Sequence, residues 1–361
     1  MQQADYLIVG SGLTGAVMAR LLTDAGRDVL VLDRREHRGG NVHDHVHESG
    51  VRIHTYGPHY FRTSSDRLWD FVTRFAEFHL YEAIVKSDVD GVLANWPIAA
   101  SYIREHVGED WQPSFKGEPR NFEEAALSLM PQKVYELFIK PYNEKQWGVP
   151  AKQLDAGLCK RFDVRHDDEP RLTPNVKYQG VPVDGYAAFM SRMLEGIEVK
   201  LGVDYLKERE SYAANKLLVF TGPIDEYFGF DLGRLQYRGQ KREHIYHADA
   251  QLIQPCGQVN NPQHENGPHI RTLEWKHMML PDQASAAHGT VLTRETPYCP
   301  DHPSGYEYPF PNQANADLYK QYRQRVDAMD DVLICGRLGE YRYYDMDQAV
   351  ARAMMLFERL V

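Results

Sequence analysis

The sequence predicts an α/β protein in which a helical segment and an antiparallel sheet follow a parallel βαβ unit. Three observations support this fold class. A short apolar run at 6–9 is followed by a glycine-rich turn and by a helical pattern over 16–25. Apolar residues then recur at helical spacing within 66–148. Residues 235–310 alternate between apolar and polar types and contain many turn residues, which is typical of antiparallel strands.

The N-terminal unit has the pattern of a dinucleotide-binding site. A second buried strand is predicted at 29–32, parallel to the first. The turn before the helix contains three glycines, Gly10, Gly12 and Gly15. Glycine permits the tight turn and the close approach of the backbone to a pyrophosphate at the helix N-terminus. Asp33 lies 18 residues after Gly15, where an acidic side chain binds ribose hydroxyls.

A second pair of glycines, Gly39 and Gly40, comes shortly after this acid and precedes Asn41. Backbone without side chains can approach a cofactor here for a second time. The larger FAD-binding families have such a pair, so the pattern favours FAD over NAD and a Rossmann-like FAD-binding domain. A surface turn is the alternative interpretation of these residues.

The chain is long enough for more than one domain. We expect a discontinuous FAD-binding domain at 1–65, 190–228 and 325–361, a helical domain at 66–148, and an antiparallel substrate domain at 149–189 and 229–324. The domain at the N-terminus is expected to be discontinuous because residues 215–222 predict another buried strand. The polar stretch at about 160–177 predicts a long mobile loop, and such loops are commonly functional.

Composition excludes several classes of protein. The net charge of −10 argues against nucleic-acid binding, which requires a basic face. The four cysteines are scattered without CxxC spacing, which favours a reducing compartment, the cytoplasm, and no disulfide framework. No apolar stretch is long enough to span a membrane, and the first residues lack the pattern of a signal peptide.

Three histidines alternate along a predicted strand at His43, His45 and His47. They would share one face of that strand, so a metal site is conceivable. No cluster of carboxylates or cysteines elsewhere in the sequence completes such a site. We therefore interpret the histidines as a solvated strand face and predict no metal.

Two stretches, 140–148 and 336–347, are dense in tyrosine, arginine and lysine. Aromatic faces suit a base and a sugar, and guanidinium groups suit phosphate. These residue types fit a sugar diphosphate and a structural role equally well.

The chain as a whole resembles the bacterial UDP-galactopyranose mutases. The motifs that carry the resemblance occur in the family's order at nearly the family's spacing, and they are 56–61, 142–147, 160–161, 178–186, 221–228, 271–277, 308–309 and 337–346. The resemblance implies an isomerase that interconverts the pyranose and furanose forms of a nucleotide sugar. It also implies FAD that is active only when an external reductant has reduced it, with the flavin acting as nucleophile at the anomeric carbon.

The same resemblance implies a role for individual residues. The diphosphate ligands would be Arg161 and Arg271, assisted by Tyr308 and Tyr343. Phe138 and Tyr142 would stack on the base, with Trp147 on the mobile loop. Residues near the flavin or the reacting sugar would be His59, Asn95, Arg337 and Asp345, and Arg238 would also face the site. The FAD ligands would be Gly10, Gly12, Gly15, Asp33, Gly40, Asn41, His59, Thr221, Arg337, Asp345 and Met346.

The sequence departs from the family in two places. Arg62 stands where the family has histidine, and Arg171 lies in a loop stretch, 169–174, where the family has Asn-Tyr-Phe. Both departures concern the sugar or the nucleotide, so UDP-galactose and UDP-N-acetylgalactosamine are both candidate substrates. A homodimer is a candidate assembly.

Two alternative functions remain at this point. One is an FAD-dependent oxidoreductase of the amine-oxidase-like class, which shares the cofactor domain and turns over with oxidised flavin. The other is a nucleotide-sugar binding protein without catalysis. The arginine and tyrosine motifs favour the mutase over both.

Overall fold

The computed structural model describes residues 1–162 and 164–360, except for the side chain of Arg161. Its strands are β1 (Gln2–Val9), β2 (Val29–Leu32), β3 (Asp44–Val46), β4 (Arg52–His54), β5 (Phe61–Thr63), β6 (Phe78–Leu80), β7 (Val85–Val89), β8 (Val92–Trp96), β9 (Tyr178–Pro182), β10 (Glu198–Lys200), β11 (Tyr212–Phe220), β12 (Tyr237–His247), β13 (Gln258–Asn260), β14 (Arg271–Glu274), β15 (Thr290–Tyr298), β16 (Tyr308–Pro309) and β17 (Val332–Ile334).

The α-helices are α1 (Leu13–Asp24), α2 (Asp66–Thr73), α3 (Ala100–His106), α4 (Phe122–Leu127), α5 (Gln132–Val134), α6 (Lys140–Trp147), α7 (Tyr186–Met193), α8 (Ile224–Tyr227), α9 (Pro281–Ala286), α10 (Gln313–Val326), α11 (Gly336–Gly339) and α12 (Met346–Phe357). A π-helical segment, Tyr135–Ile139, joins α5 to α6. Short 3-10 helices occur at Ala151–Gln153, Ala156–Arg161, Arg209–Ser211, Trp275–Met278 and Pro303–Gly305.

The first layer is a parallel sheet of five strands in the order β10-β2-β1-β11-β17. This confirms the predicted Rossmann-like α/β fold, including the return of the strand predicted at 215–222 as β11. Side chains of α1, α7 and α12 form a core with one face of the sheet, and those of α8 and α10 form a core with the other. Both faces are covered, which explains why strands such as β2 are apolar throughout.

The second layer is a sheet of seven strands in the order β16-β12-β15-β14-β13-β7-β8. All its neighbouring strands are antiparallel except β13 and β7. The antiparallel strands predicted within 235–310 are therefore present as β12 to β16.

The expectation that 66–148 is mostly helical is wrong for part of that range. Residues 85–96 form the hairpin β7–β8, in which Val85, Ser87 and Val89 alternate inward. Residues 85–87 pair with β13, so the hairpin extends the seven-stranded sheet. The helix before it, α2, packs on the core of the parallel sheet. The stretch from α3 to α6 packs around a separate core, to which Val89 and Ala94 of the hairpin also contribute.

Two small sheets link the layers. Strands β5 and β6 both pair with β9, and β3 pairs with β4 as a hairpin over the seven-stranded sheet. The alternating histidines begin at this hairpin, where His43 and His45 both contact the hydroxyl of Thr55. Among the described residues, no three histidine, cysteine, aspartate or glutamate side chains are grouped so that they could hold a metal. No described helix is long and apolar enough to cross a membrane.

Candidate functional site

A groove of about 200 Å³ lies at the carboxyl ends of the parallel strands. Gly10, Asp33 and Thr221 directly follow β1, β2 and β11 and line it, and Gly336, two residues after β17, lines it as well. Ligands of open α/β sheets bind at this edge, outside the carboxyl ends of the strands. The first strand and the helix that follows it therefore place the glycine-rich turn where a dinucleotide binds.

The glycines keep this groove open. Gly10 has φ +103°, and a Cβ there would lie 2.1 Å from Oγ1 of Thr221. A Cβ on Gly40 would lie 2.8 Å from the Cα of Gly12, so the two glycine-rich turns touch through backbone alone. Gly15 does not line the groove; a Cβ there would lie 2.0 Å from the carbonyl oxygen of Gly10. Gly15 therefore allows α1 to pack closely on the turn. The groove that the other glycines keep open fits the pyrophosphate of a dinucleotide cofactor.

Asp33 organises the same turn. Its carboxylate is 7% exposed and accepts hydrogen bonds from the backbone nitrogen and hydroxyl of Ser11, at 2.7 and 2.6 Å. The other oxygen accepts from the backbone nitrogen of Arg35 at 2.9 Å. The side chain lines the groove, as a ribose ligand would, and it also fixes the turn against β2.

A second and larger cavity of about 720 Å³ lies between the seven-stranded sheet, α6 and the segment after β4. It collects five aromatic residues that the sequence assigned to substrate: Phe138, Tyr142, Trp147, Tyr308 and Tyr343. Tyr308 and Tyr343 stack with their ring centroids 6.0 Å apart. Burial raises the pKa of Tyr308 to about 12, so its hydroxyl remains a hydrogen-bond donor at neutral pH.

Four residues line both cavities: Asn41, His59, Arg337 and Met346. Arg337 donates hydrogen bonds to the backbone oxygens of Glu307 at 3.3 Å and Tyr344 at 2.6 Å. Its guanidinium carbon also lies 4.7 Å from the centroid of the Tyr343 ring. The groove and the larger cavity therefore meet at a junction where one ligand can reach the other.

His59 is the titratable group at this junction. Its Nδ1 lies 2.8 Å from the carbonyl oxygen of Gly57, which can only accept, so Nδ1 carries the proton. Burial lowers the pKa of His59 to about 3. The ring is therefore neutral at physiological pH and its Nε2 is an acceptor.

A buried ion-pair network supports the cavity wall. Nε of Arg271 donates to Glu295 at 2.5 Å, and Arg242 donates to the other oxygen of Glu295 at 2.8 Å and to both oxygens of Glu307 at 2.9 Å. Burial opposes ionisation of Glu295, but the two guanidinium groups hold its pKa below the usual value. The terminal nitrogens of Arg271 form no hydrogen bond with any residue that the structure describes, and Arg271 lines the cavity. They are available to an anionic ligand.

Arg62 and Asp345 also line the larger cavity. Arg62 donates to Asp345 at 3.1 Å, and the hydroxyl of Tyr343 donates to the other carboxylate oxygen at 3.0 Å. Asp345 caps the N-terminus of α12 in a reciprocal pair with Gln348. Asp345 does not line the groove, so its predicted contact with the cofactor has no support in this geometry.

Four other expectations need correction. Asn95 lines neither cavity, because its side chain faces Lys86 and accepts a hydrogen bond at 2.8 Å. Arg238 also lines neither; it is buried and donates to the backbone oxygens of Gln146 at 2.7 Å and Lys145 at 3.2 Å. It thus neutralises the C-terminus of α6. Trp147 is the last residue of α6 and not part of a mobile loop.

Arg171 is the fourth residue for which the expectation needs correction. It pairs with Glu169 and Glu82, each at 2.8 Å, on the surface outside both cavities. The side chain of Arg161, the other predicted diphosphate ligand, lies outside the described residues.

The loop before β9 is attached at several points. The backbone oxygen of Asp167 accepts from Ala100 at 2.9 Å, and the carboxylate of Asp168 accepts from the backbone nitrogen of Ser101 at 2.8 Å, which caps α3. Leu172 donates to the backbone oxygen of Ala83 at 2.8 Å and lines the larger cavity. The loop thereby closes one side of the cavity.

Several lining residues were not identified from the sequence. The larger cavity is also lined by amide side chains from the three segments α6, β12 and β13, at Asn143, Gln146, Gln240, Gln258 and Asn260. Glu295 could have been noticed as a single acid at an inward position of β15, where the alternation predicts an apolar residue. Lys145 donates to three backbone oxygens in 261–269 and fastens α6 to the loop between β13 and β14, which no local pattern predicts.

Comparison with known proteins connects this geometry to a family. The family model described as UDP-galactopyranose mutase matches residues 137–343, and a model described as NAD(P)-binding Rossmann-like domain matches residues 8–75. A relative named probable UDP-galactopyranose mutase from Klebsiella pneumoniae is 33% identical, over 98% of this chain and 94% of its own length. A relative named dTDP-fucopyranose mutase from Escherichia coli is 31% identical, over 96% of each.

Solved structures agree on the fold. A structure of reduced UDP-galactopyranose mutase superposes with a TM-score of 0.71 at 14% identity, covering 99% of this chain and 95% of that one. A putative protoporphyrinogen oxidase from Exiguobacterium superposes with a TM-score of 0.61 at 13% identity, covering 99% and 98%. At these sequence identities a structural likeness shows the fold alone. The match to an oxidase structure therefore does not favour the oxidoreductase alternative.

Proposed function

Because this chain belongs to the UDP-galactopyranose mutase family and is a flavin-dependent nucleotide-sugar mutase, we propose that FAD is its flavin and works in the reduced form. The observation that carries the proposal is the junction at which Asn41, His59, Arg337 and Met346 line both cavities. A cofactor in the groove and a sugar in the larger cavity meet there.

The groove supports FAD as the flavin. The turn at Gly10 offers backbone to the pyrophosphate, and the second glycine pair, with Gly40 beside Gly12, extends the same backbone surface. When bound, the reduced flavin supplies the nucleophile for the anomeric carbon of the sugar. An external reductant is then required, although the isomerisation itself involves no net oxidation.

The chain's own residues bind and polarise the substrate. Phe138 and Tyr142 provide aromatic faces for the base at the α6 side of the cavity. Arg271 offers its terminal nitrogens to the diphosphate, and Arg161 shares this role by the family's pattern. Loss of the diphosphate from the sugar builds negative charge on the phosphate, so fixed cations there stabilise the transition state more than the ground state.

We infer that Arg62 influences which sugar is accepted. It lies in the cavity wall beside Asp345, and its five donors reach groups that histidine cannot. UDP-N-acetylgalactosamine, with a larger group on the second carbon of the sugar, is our first candidate beside UDP-galactose. The relative named dTDP-fucopyranose mutase makes a dTDP-linked sugar a third candidate.

The direct experiment is an assay of dithionite-reduced and oxidised protein on these three nucleotide sugars. We expect bound, non-covalent FAD and isomerisation only after reduction. Equal turnover with oxidised flavin, or protein without flavin, would contradict the proposal. In Arg62→His, the ratio of kcat/KM between the two UDP-sugars should change by about tenfold or more. An unchanged ratio would exclude Arg62 as the residue that selects the sugar.

The cellular setting is also a proposal. The cysteines Cys159, Cys256, Cys299 and Cys335 are all free, which supports a reducing compartment such as the cytoplasm. We propose a homodimer as the assembly, and size-exclusion chromatography with light scattering would test it.

A further inference from the structure

The turn between β4 and β5 carries His59 to the junction of the two cavities, and it begins with a second buried histidine. His54 is the last residue of β4 and is 2% exposed. Its Nδ1 lies 3.0 Å from the backbone nitrogen of His59. A backbone N–H can only donate, so Nδ1 of His54 is the acceptor and the ring proton is on Nε2.

This hydrogen bond is one of two that close the turn. The backbone nitrogen of His59 has no other hydrogen-bond partner in the part of the chain that the structure describes. The second hydrogen bond runs from Nδ1 of His59 to the carbonyl oxygen of Gly57. Together they fix the backbone of His59 and the orientation of its ring, and they leave Nε2 of His59 for the cavities.

The base of the turn is closely packed. Gly57 has φ +90°, and a Cβ there would lie 2.8 Å from a carboxylate oxygen of Glu295. The turn therefore packs with bare backbone on the ion pair that also holds Arg271.

Aromatic rings hold His54 itself. Its ring lies edge-on to Tyr186 with centroids 5.3 Å apart, and 5.2 Å from the ring of Trp275. Burial lowers the pKa of His54 to about 3, so the ring stays neutral and keeps its acceptor at physiological pH. His54 lines neither cavity, and its hydrogen bond to His59 connects it to the lining.

We propose that His54 is a positioning residue for the mutase reaction, which holds the backbone of His59 so that the imidazole Nε2 stays at the junction. The expected effect of His54 on turnover rests on the proposed function. It predicts that the acceptor at Nδ1 matters more than the aromatic ring around it.

Asparagine and leucine provide a matched test of that acceptor. The two side chains have nearly the same size and shape, but only asparagine places an acceptor oxygen close to the position of Nδ1. We expect His54→Asn to keep kcat within about threefold of the unmutated enzyme. His54→Leu leaves a buried N–H without an acceptor, and we expect kcat to fall by about tenfold or more with KM little changed.

Phenylalanine separates positioning from packing. His54→Phe keeps a ring against Tyr186 and Trp275 but removes the acceptor, so we expect it to resemble His54→Leu. If His54 served only to fill space, His54→Phe would be more active than His54→Asn, and that order would overturn the proposal. If His54→Leu does not fold, the comparison of kcat between His54→Phe and His54→Asn tests the proposal without it.

The visible absorption spectrum of the bound flavin is an independent measurement. Because His59 lines the cofactor groove, we expect the spectrum to shift in His54→Leu and His54→Phe and to stay unchanged in His54→Asn. The control is His47→Leu, since His47 is half-buried beside Ser49 and lines neither cavity; it should change neither kcat nor the spectrum. Identical spectra and kcat in all three His54 variants would overturn the proposal. An unmutated protein without mutase activity would instead contradict the proposed function, while the spectra would still test His54.

Discussion

The groove and the larger cavity are built in different ways. The groove is formed by backbone at the ends of parallel strands, and its shape depends on the absence of side chains at Gly10, Gly12 and Gly40. The larger cavity is formed by side chains from widely separated segments, held by buried ion pairs and hydrogen bonds to backbone. A substitution in the groove should therefore remove the cofactor, whereas one in the cavity should alter chemistry and leave the cofactor bound.

The largest effect is expected from Gly15→Ala. The added Cβ would lie 2.0 Å from the carbonyl oxygen of Gly10, a contact with backbone that cannot be relieved by a side-chain rotation. We expect protein without bound flavin, measured by the ratio of flavin to protein absorbance. Gly26→Asn is the matched control, since no heavy atom lies within 4 Å of a Cβ there and asparagine tolerates its φ of +72°. Full flavin content in Gly15→Ala would refute the backbone account of the groove.

Arg271→Ala should lower kcat/KM and leave the flavin bound, unlike Gly15→Ala. Removing one partner from a buried charge pair costs about 2–5 kcal/mol, which corresponds to roughly thirty-fold to several-thousand-fold in kcat/KM. The flavin content should stay unchanged, because Arg271 does not line the groove. Arg238→Ala is the useful comparison: it frees the end of α6 and lowers the unfolding temperature, but Arg238 lines neither cavity, so kcat/KM should fall much less than in Arg271→Ala. Near-normal kinetics in Arg271→Ala would exclude its role at the diphosphate.

Acid should have the next largest effect, on the free energy of unfolding. Burial lowers the pKa of His43 to about 4 and those of His54 and His59 to about 3, all below the value of about 6.5 in an unfolded chain. Unfolding then takes up protons, so this stability is complete above about pH 6.5 and is lost as the pH falls toward 3 to 4. Each histidine contributes up to about 1.4 kcal/mol per pH unit.

One carboxylate opposes this trend. Burial raises the pKa of Asp225 to about 6, so its contribution to stability is larger in acid and decreases as the pH rises from about 4 to 6. The three histidines outweigh it, and urea unfolding at pH 7 and pH 4.5 should give a lower free energy of unfolding at pH 4.5. An equal free energy of unfolding at pH 7 and at pH 4.5 would show that the three histidine rings are not buried in the neutral form.

The smallest effect is expected from Arg171→Ala. Its guanidinium is half-exposed and bound to two surface carboxylates, and such pairs contribute little. We expect kcat/KM for each nucleotide sugar to stay within about threefold of the unmutated enzyme. A large loss specific to one sugar would mean that Arg171 leaves Glu169 and Glu82 and enters the cavity when substrate binds.

The contrast between the two regions also explains what the sequence could predict. The glycine-rich turn of the groove and Asp33 lie close together in the chain, so Gly10, Gly15 and Asp33 were visible as a spaced motif. The cavity depends on partners that are far apart. The sequence could not show that Arg238 donates to a backbone oxygen, because its acceptor on Gln146 is 92 residues away in the chain.

Strand assignment failed at β7 and β8 for a different reason. These strands form a hairpin closed by Asp90 and Gly91, both at positive φ, and an Asp-Gly pair is a local hairpin signal that the sequence interpretation overlooked. The family's motifs located Arg271, Tyr308 and Tyr343 correctly in the cavity wall. They could not reveal Glu295 or His54, which act on other residues and not on the ligand.

The π-helical segment Tyr135–Ile139 can absorb a change in chain length that α6 cannot. Its wider turn accommodates an additional residue compared with an α-helix. Deleting one residue there would let the segment continue as a regular α-helix, with the residues after it in nearly the same orientation. Tyr142 and Trp147 would still face the cavity, and Lys145 would still reach its partners. Deleting a residue within α6 itself would instead rotate the end of that helix by roughly 100° about its axis.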